Sequence, residues 1–435
     1  MNSVHATEQL LFFTLLQLAV IVLAARAGGA LARRCGQSVA VGEILTGVVL
    51  GPSLFGAVAP AAFAWVFRST PPQPLTILSQ VGLLLLMFQI GLEFDFSHLA
   101  ERAHRRAVWA VAVAGLAAPF VLGVMFALAV PRELAGTDAR MAFALFVGTA
   151  LAITALPILG RIMMEFEITK TSLGVIAISA AAINDVVGWL LLALVSALSV
   201  SAFEPWPFAL RVAGVLALGA AGWWLVRPPL TRLVRSQASR GDVLPPGLTG
   251  VVIATVFAAG MTTFKLGIFA IFGGFLVGVL LHREHAFAEA WSQRVGGFVN
   301  VFFLPIFFTL TGLRTDIGSL GTASAWGWCA ALIALATIGK FGACTLAARW
   351  AGLDAQRARI VGIMMNTRAL MELIIINVGF ELGVIGPQVF TMLVLMAIAS
   401  TVVTAPLLRR WLPRVGLGGA PEAGGAALLH GPGGR

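Results

Sequence analysis

Apolar runs of about 20 residues recur along the whole chain, separated by short polar breaks. Each run is long enough to cross a hydrocarbon core about 30 Å thick. Ala and Leu dominate the runs, and their apolar positions are continuous rather than every second one, so the pattern predicts helices and not strands. Lipid offers the backbone no hydrogen-bond partner, which restricts spanning structures to helices or closed barrels. About thirteen spans follow, near 10–31, 38–58, 75–98, 107–130, 139–163, 170–200, 207–229, 247–263, 266–282, 295–313, 324–348, 357–380 and 386–408. Around Lys265 the pattern fits two short spans or one bent one. The expected fold class is an all-α membrane protein, with residues 1–435 forming a single membrane domain. The Gly- and Ala-rich stretch 416–435 is expected to be a disordered cytoplasmic tail, with no nucleotide-binding or regulatory domain after the last span.

Composition supports this picture. The 435 residues are 59% hydrophobic and only 11% charged, where soluble domains carry about a quarter charged residues. The net charge of +10 suggests a nucleic-acid patch only until its placement is considered. One set of alternate loops, including Arg33, Arg34, Arg105, Arg106, Arg232, Arg235, Arg357 and Arg359, holds about 20 of the Lys and Arg residues, and the other set about 5. The N-terminus is therefore predicted outside and the C-terminus in the cytoplasm, in a multi-pass inner-membrane protein with an odd number of spans. No nucleic-acid partner is expected. The start of the chain lacks a basic region and cleavage site, so the first run is expected to remain as a helix. Cys35, Cys329 and Cys344 are scattered, and the six His residues show no ligand spacing, so no metal site, disulfide or cofactor is expected. No nucleophile–base set appears, which argues against an enzyme.

A faint repeat runs through the chain. Span 3 ends Gly91-Leu92-Glu93-Phe94-Asp95 and span 10 ends Gly312-Leu313-Arg314-Thr315-Asp316. Gly47 and Gly51 in span 2 share the spacing of Gly274 and Gly278 in span 9. Loop charge places the two copies in opposite orientations, as in many secondary transporters.

Four places break the apolar pattern in mid-span. Asn184-Asp185 lies half-way along span 6. A carboxylate there is cheap to bury only when protonated. Ionised, it can bind a dehydrated monovalent cation, and one site that holds a proton or a cation but not both couples their exchange. Asn184 can add a carbonyl oxygen or fix the carboxylate; a polar pair that glues helices is the plainer reading. Thr154 precedes Pro157 in span 5, where a proline frees backbone carbonyls in a simple kink or a cavity-lining break. Lys340 in span 11 needs a counter-charge, for which Asp185 is the candidate, unless it snorkels to the interface. In span 12, Arg368 and Glu372 are spaced for an ion pair. With Asn366 and Thr367 they form a polar break that mirrors span 5, or a self-contained structural pair. Glu43, near a helix start, is assigned a structural role.

These strings together resemble a known family. Gly42-Glu43-Ile44-Leu45, Leu50-Gly51-Pro52-Ser53, Ile183-Asn184-Asp185-Val186, Leu304-Pro305-Ile306-Phe307-Phe308, Gly312-Leu313-Arg314-Thr315-Asp316 and Asn366-Thr367-Arg368 with Met371-Glu372-Leu373 are similar to the second branch of the monovalent cation/proton antiporter superfamily. The likeness is to plant cation/proton exchangers and bacterial potassium or sodium/proton antiporters, in family order over nearly the whole chain. It implies an inverted-repeat antiporter fold with two broken, crossing helices at Thr154 and at Asn366 to Arg368. It implies a dimer-forming scaffold (10–98 and 247–313), a linker helix (207–229) and a mobile core (107–200 and 324–408). It casts Asp185 as the ion carrier and Lys340 as its basic partner, in a homodimer exchanging potassium or sodium for protons by alternating access. Many members carry Asp-Asp where this chain has Asn184-Asp185, a pattern of nearly electroneutral relatives, although Lys340 adds a second titrating group. A non-exchanging channel or sensor, and an exporter of an organic ion, are the alternatives on the same fold. Coupled uphill proton movement separates the first from an antiporter, and a wider cavity beside Asp185 separates the second.

Overall fold

The computed structural model describes residues 3–37, 39–93, 104–137, 139–154, 159–160, 162–163, 166–169, 171–199, 205–238, 244–266, 270–368 and 370–417. Every regular element among them is helical. The main helices are α1 (Ser3–Arg34), α2 (Val39–Leu50), α3 (Gln73–Glu93), α4 (Arg105–Ala129), α5 (Arg140–Ala152), α6 (Ser172–Ser199), α7 (Pro205–Ala221), α8 (Arg227–Ala238), α9 (Pro246–Lys265), α10 (Ile271–Leu281), α11 (Leu304–Arg314), α12 (Ala323–Trp350), α13 (Ala355–Met365), α14 (Leu370–Glu381) and α15 (Pro387–Trp411). Among the described residues, nine helices are long and apolar enough to cross a membrane, and α5 and α10 are shorter apolar helices. Pro157, Asp95 and the stretch 418–435 lie outside the described residues.

Helix starts follow ordinary capping chemistry. The Thr322 hydroxyl accepts from the Ala325 N–H at the start of α12, and the Asp354 carboxylate accepts from the Gln356 and Arg357 N–H groups at the start of α13. Near Lys265 the chain makes two helices. α9 and α10 pack against each other, and Gly273 lies so close to the Ala259–Gly260 backbone that no side chain would fit.

The helices pack in two groups. α1, α2, α3, α9, α10 and α11 contact one another extensively, and so do α4, α5, α6, α12, α13, α14 and α15. The first group is built on glycine. Gly47 and Gly51 of α2 face the backbone of α11: a Cβ on Gly47 would lie 2.8 Å from Thr309 Cα, and one on Gly51 would lie 2.5 Å from the Gly312 oxygen. On the other side, Gly274 and Gly278 of α10 face α3, where a Cβ on Gly278 would lie 2.8 Å from Gly91 Cα. The two glycine pairs and the two Gly-Leu helix ends of the repeat thus pack crosswise: each pair meets the helix end of the other copy. Without a hydrophobic force between helices in lipid, such close approach supplies the packing energy.

The outer surface is apolar, with Leu23 of α1 71% exposed and Leu216 of α7 70% exposed. The polar exceptions lie inside. Lys340, Arg368, Asn184, Asp185 and Glu372 are all at most 2% exposed.

We expect Gly278→Leu to prevent assembly of α10 on α3 and to abolish recovery of monodisperse protein in detergent. Gly297→Leu, at a position where an added Cβ meets nothing within 4 Å, should leave size-exclusion behaviour unchanged. Equal behaviour of the two variants would contradict this packing.

Candidate functional site

The site starts from a helix end. α5 stops at Ala152, and Ile153 is extended with φ −73° and ψ 148°. The last carbonyls of any helix have no intrahelical donor, and in a membrane interior no bulk water replaces one. Two buried cations take that place. Arg368 Nη1 donates to the Ala150 carbonyl at 3.3 Å and Nη2 to the Leu151 carbonyl at 2.8 Å. Lys340 Nζ donates to the Ala152 carbonyl. Both sit at the negative end of the α5 dipole, where positive charge is stabilised.

Each cation is itself held in place. Lys340 occupies a π turn, Ile338–Gly342, within α12, a distortion that recurs at functional sites. Its second hydrogen bond, 2.7 Å long, goes to the Gly115 carbonyl of α4. Pro119 lies inside α4 and has no N–H to give the carbonyl four residues earlier. That carbonyl belongs to Gly115, so the proline opens the acceptor that Lys340 fills. Arg368 lies in the non-helical break between α13 and α14. Its Nη1 bonds Glu372 Oε1 at 2.9 Å, and Nη2 reaches the Ala336 carbonyl at 3.5 Å. Glu372 sits in the first turn of α14, where the helix dipole favours a carboxylate. Thr401 of α15 donates to the Arg368 carbonyl.

The sequence pattern points Lys340 to Asp185. In the structure the ammonium is hydrogen-bonded to two backbone carbonyls instead, and Asp185 lies within its electrostatic reach together with Arg368 and Glu372. Asp185 is 2% exposed. Three residues on, Gly188 packs against Ile153, and residues three apart share a helix face. Asp185 is therefore on the face of α6 that meets the break after α5. Asn184 lies beside Gly115, where a Cβ would come 3.2 Å from Asn184 Nδ2 and 2.7 Å from Cys344 Sγ. Gly115 is thus a meeting point of α4, α6 and α12.

Thr154 Oγ1 after the end of α5, Asn366 Oδ1 and Thr367 Oγ1 in the break between α13 and α14, and Asn184 Oδ1 on α6 are buried without hydrogen-bond partners among the described residues. Buried polar atoms are ordinarily satisfied. A group of orphaned neutral oxygens near a carboxylate has the chemistry of a site for a hard monovalent cation.

A second polar cluster lies where α14 meets the first helix group. Arg314 of α11 donates to Asn377 Oδ1 at 2.9 Å and to Glu381 Oε1 at 3.0 Å. Gln80 of α3 donates to Glu381 Oε2 at 3.1 Å, and Asn377 Nδ2 to Thr311 Oγ1 at 2.8 Å. Sequence reasoning places Arg314 at the end of span 10 and passes over Asn377 and Glu381. Their spacing of one turn in the second half of α14, apolar but for them, was the available signal. Gly115 and Pro119 were likewise passed over, although a proline four residues after a glycine in mid-span marks an open carbonyl.

Comparison with known proteins fits this geometry. The family model for the transmembrane sodium/hydrogen exchanger matches residues 19–412. The chain belongs to the sodium/hydrogen exchanger family. Within it, the chain is 35% identical to the Na(+)/H(+) antiporter NhaS4 of Synechocystis, over 93% of this chain and 98% of that one. It is 34% identical to Cation/H(+) antiporter 17 of Arabidopsis thaliana, over 92% of this chain but 48% of the plant protein. The chain thus spans nearly all of the cyanobacterial relative and about half of the plant one. The sodium proton antiporter MjNhaP1 of Methanocaldococcus jannaschii shares the fold, with a TM-score of 0.60, 13% identity, and coverage of 91% of this chain and 95% of that one.

Removing one member of the Arg368–Glu372 pair leaves the other buried and uncompensated, and such losses cost about 3–5 kcal/mol. Arg368→Met should therefore destabilise this exchanger strongly in thermal or denaturant unfolding. Arg368→Met/Glu372→Met should recover part of that loss, leaving the uncapped carbonyls of Ala150 and Leu151 as the remainder. A double variant no more stable than Arg368→Met would show that Glu372 is not the partner that matters.

Proposed function

We propose that this protein exchanges potassium or sodium for protons as a secondary active antiporter. The observation that carries the reading is Asp185, a carboxylate buried on the α6 face that meets the α5 break, near orphaned oxygens at Thr154, Asn184, Asn366 and Thr367. Membership of the sodium/hydrogen exchanger family and the printed names of its relatives support it.

Asp185 is the carrier in this reading. Protonated, it is neutral and crosses the apolar interior cheaply; ionised, it binds a cation whose lost water is replaced by the neighbouring side-chain oxygens. The same carboxylate cannot do both, so transport of one ion requires release of the other. Charge counting supports electroneutral exchange. Lys340 and Arg368 balance Glu372 and ionised Asp185, so either a proton or a monovalent cation brings the site to the same net charge.

Alternating access exposes Asp185 to each side in turn. The first helix group, α1–α3 with α9–α11, acts as scaffold and carries the contact between two copies of the chain. α4–α6 with α12–α15 form the moving core, and α7 links them. The Arg314–Asn377–Glu381 cluster joins core helix α14 to α3 and α11, and therefore must break in the cycle. By the loop charges this cluster lies on the outer side, with the N-terminus outside and the C-terminus in the cytoplasm of a cell-membrane protein. The state described is then closed outward.

In inverted vesicles with a pH-sensitive dye, Asp185→Asn should reduce cation-driven proton movement to the background of empty vesicles, while the wild type drives protons uphill on an imposed cation gradient. Full exchange by the variant would remove Asp185 from the mechanism, and purely downhill flux by the wild type would indicate a channel. A separate test concerns the motion. Thr311→Cys/Asn377→Cys, cross-linked by a short bifunctional reagent, should lose most of its exchange and regain it when the cross-link is cleaved. Undiminished exchange in the cross-linked protein would mean that α11 and α14 do not separate.

A further inference from the structure

A groove with a volume of about 1130 Å³ runs along the outer surface between α4 and the second half of α12. Its floor is made shallow-sided by alanines, among them Ala114 and Ala118 of α4 and Ala343 and Ala347 of α12. At one end stand Arg105, Arg106, Trp109 and Trp350. The Arg106 guanidinium lies 4.6 Å from the Trp350 ring centroid and donates to the Trp350 carbonyl at 3.5 Å. Among the described residues neither Arg105 nor Arg106 has a carboxylate partner.

The two parts demand different chemistry from an occupant. The trough is apolar, open along one side and bordered by residues that face lipid: Trp109 is 50% exposed and Leu346 is 71% exposed. Its end presents two arginines, without a carboxylate partner among the described residues, beside tryptophans, the side chains that settle at the headgroup level of a bilayer. A small anion would use the charges and leave the trough unfilled. A neutral lipid would fill the trough and leave the guanidiniums without an anionic partner. We propose that this groove binds an anionic phospholipid, its phosphate held by Arg105 and Arg106 and an acyl chain laid along the alanine floor.

The groove lies against the helix pair that builds the ion site. Ala114 and Ala118 each precede a residue of the inner contact, Gly115 and Pro119, and Ala343 precedes Cys344, whose sulfur lies by Gly115. The Gly115–Lys340 hydrogen bond and the lipid trough are thus two sides of one two-helix wall. A bound chain would brace α4 against α12 from outside.

The test uses the full-length protein stripped of lipid in detergent and offered equal amounts of phosphatidylglycerol and phosphatidylcholine of the same chain length. Native mass spectrometry should show retained phosphatidylglycerol favoured by roughly thirtyfold, the order expected from two arginines near an anionic headgroup. Arg105→Gln/Arg106→Gln should abolish that preference, and Ala114→Phe/Ala347→Phe, which fills the trough and keeps both arginines, should abolish it too. Equal retention of the two lipids by the wild type would overturn the proposal. So would an undiminished preference in the arginine variant. A preference that survives filling of the trough would reduce the arginines to general surface attraction and would overturn the groove site. Should the arginine variant fail to fold, the trough-filling variant decides the question alone.

Discussion

Everything at the centre of this molecule depends on how the open end of α5 is satisfied away from bulk water. A helix that stops in mid-membrane leaves carbonyls whose desolvation costs several kcal/mol each if unmet. Three of them, at Ala150, Leu151 and Ala152, receive donors from Arg368 and Lys340. Both donors come from elsewhere in the chain, so the helix end, α12 and the break between α13 and α14 form one unit. Pro119 extends that unit to α4, because the carbonyl it leaves open at Gly115 is the second acceptor of Lys340. The end of α5 is thereby tied to α4, α12 and the break between α13 and α14.

This division of labour bears on the ion. Lys340 and Arg368 are committed to backbone carbonyls, and Arg368 also to Glu372. Their charges set the local field without competing for the carboxylate by direct hydrogen bonding. The oxygens of Thr154, Asn184, Asn366 and Thr367 carry no such commitment. A fixed frame and uncommitted oxygens are what the proposed ion site requires, since a ligand already bound within the protein would have to be freed in every cycle. The helix groups differ in the same way. Gly47, Gly51, Gly274 and Gly278 join one group through close backbone contact. Arg314, Gln80, Asn377 and Glu381 join the groups through side-chain hydrogen bonds at a partly exposed edge, where water can replace each partner at small cost.

Much of this was legible in the sequence because charge in an apolar run is conspicuous. Asp185, Lys340, Arg368 and Glu372 interrupt their spans visibly, and the four-residue spacing of Arg368 and Glu372 foretold a pair that the structure forms at 2.9 Å. The glycine spacing and the Gly-Leu ends announced a repeat, but not that its copies pack crosswise, because sequence carries no record of which helix faces which. The partner of Lys340 was illegible for a related reason. Pattern reading matches charges with charges, whereas the acceptors here are carbonyls at Gly115 and Ala152, which every residue possesses. Pro119 reads as an ordinary kink until the carbonyl it frees is seen to be occupied. Arg314 reads as part of a span end and becomes a link between helices only once α14 is placed beside it.

The placement of Lys340 also narrows what Asn184 can mean. A lysine in direct contact with Asp185 would be displaced by each arriving cation and would add its own proton to the exchange. Held by the two carbonyls, Lys340 has acceptors that do not change charge when the carboxylate loads or unloads. The two carbonyls hold Lys340 whether or not Asp185 is charged, and the neutral Asn184 adds no second titrating carboxylate. In the proposed exchange, a ratio of one proton to one monovalent cation would rest on the geometry of the capping lysine as much as on the identity of residue 184.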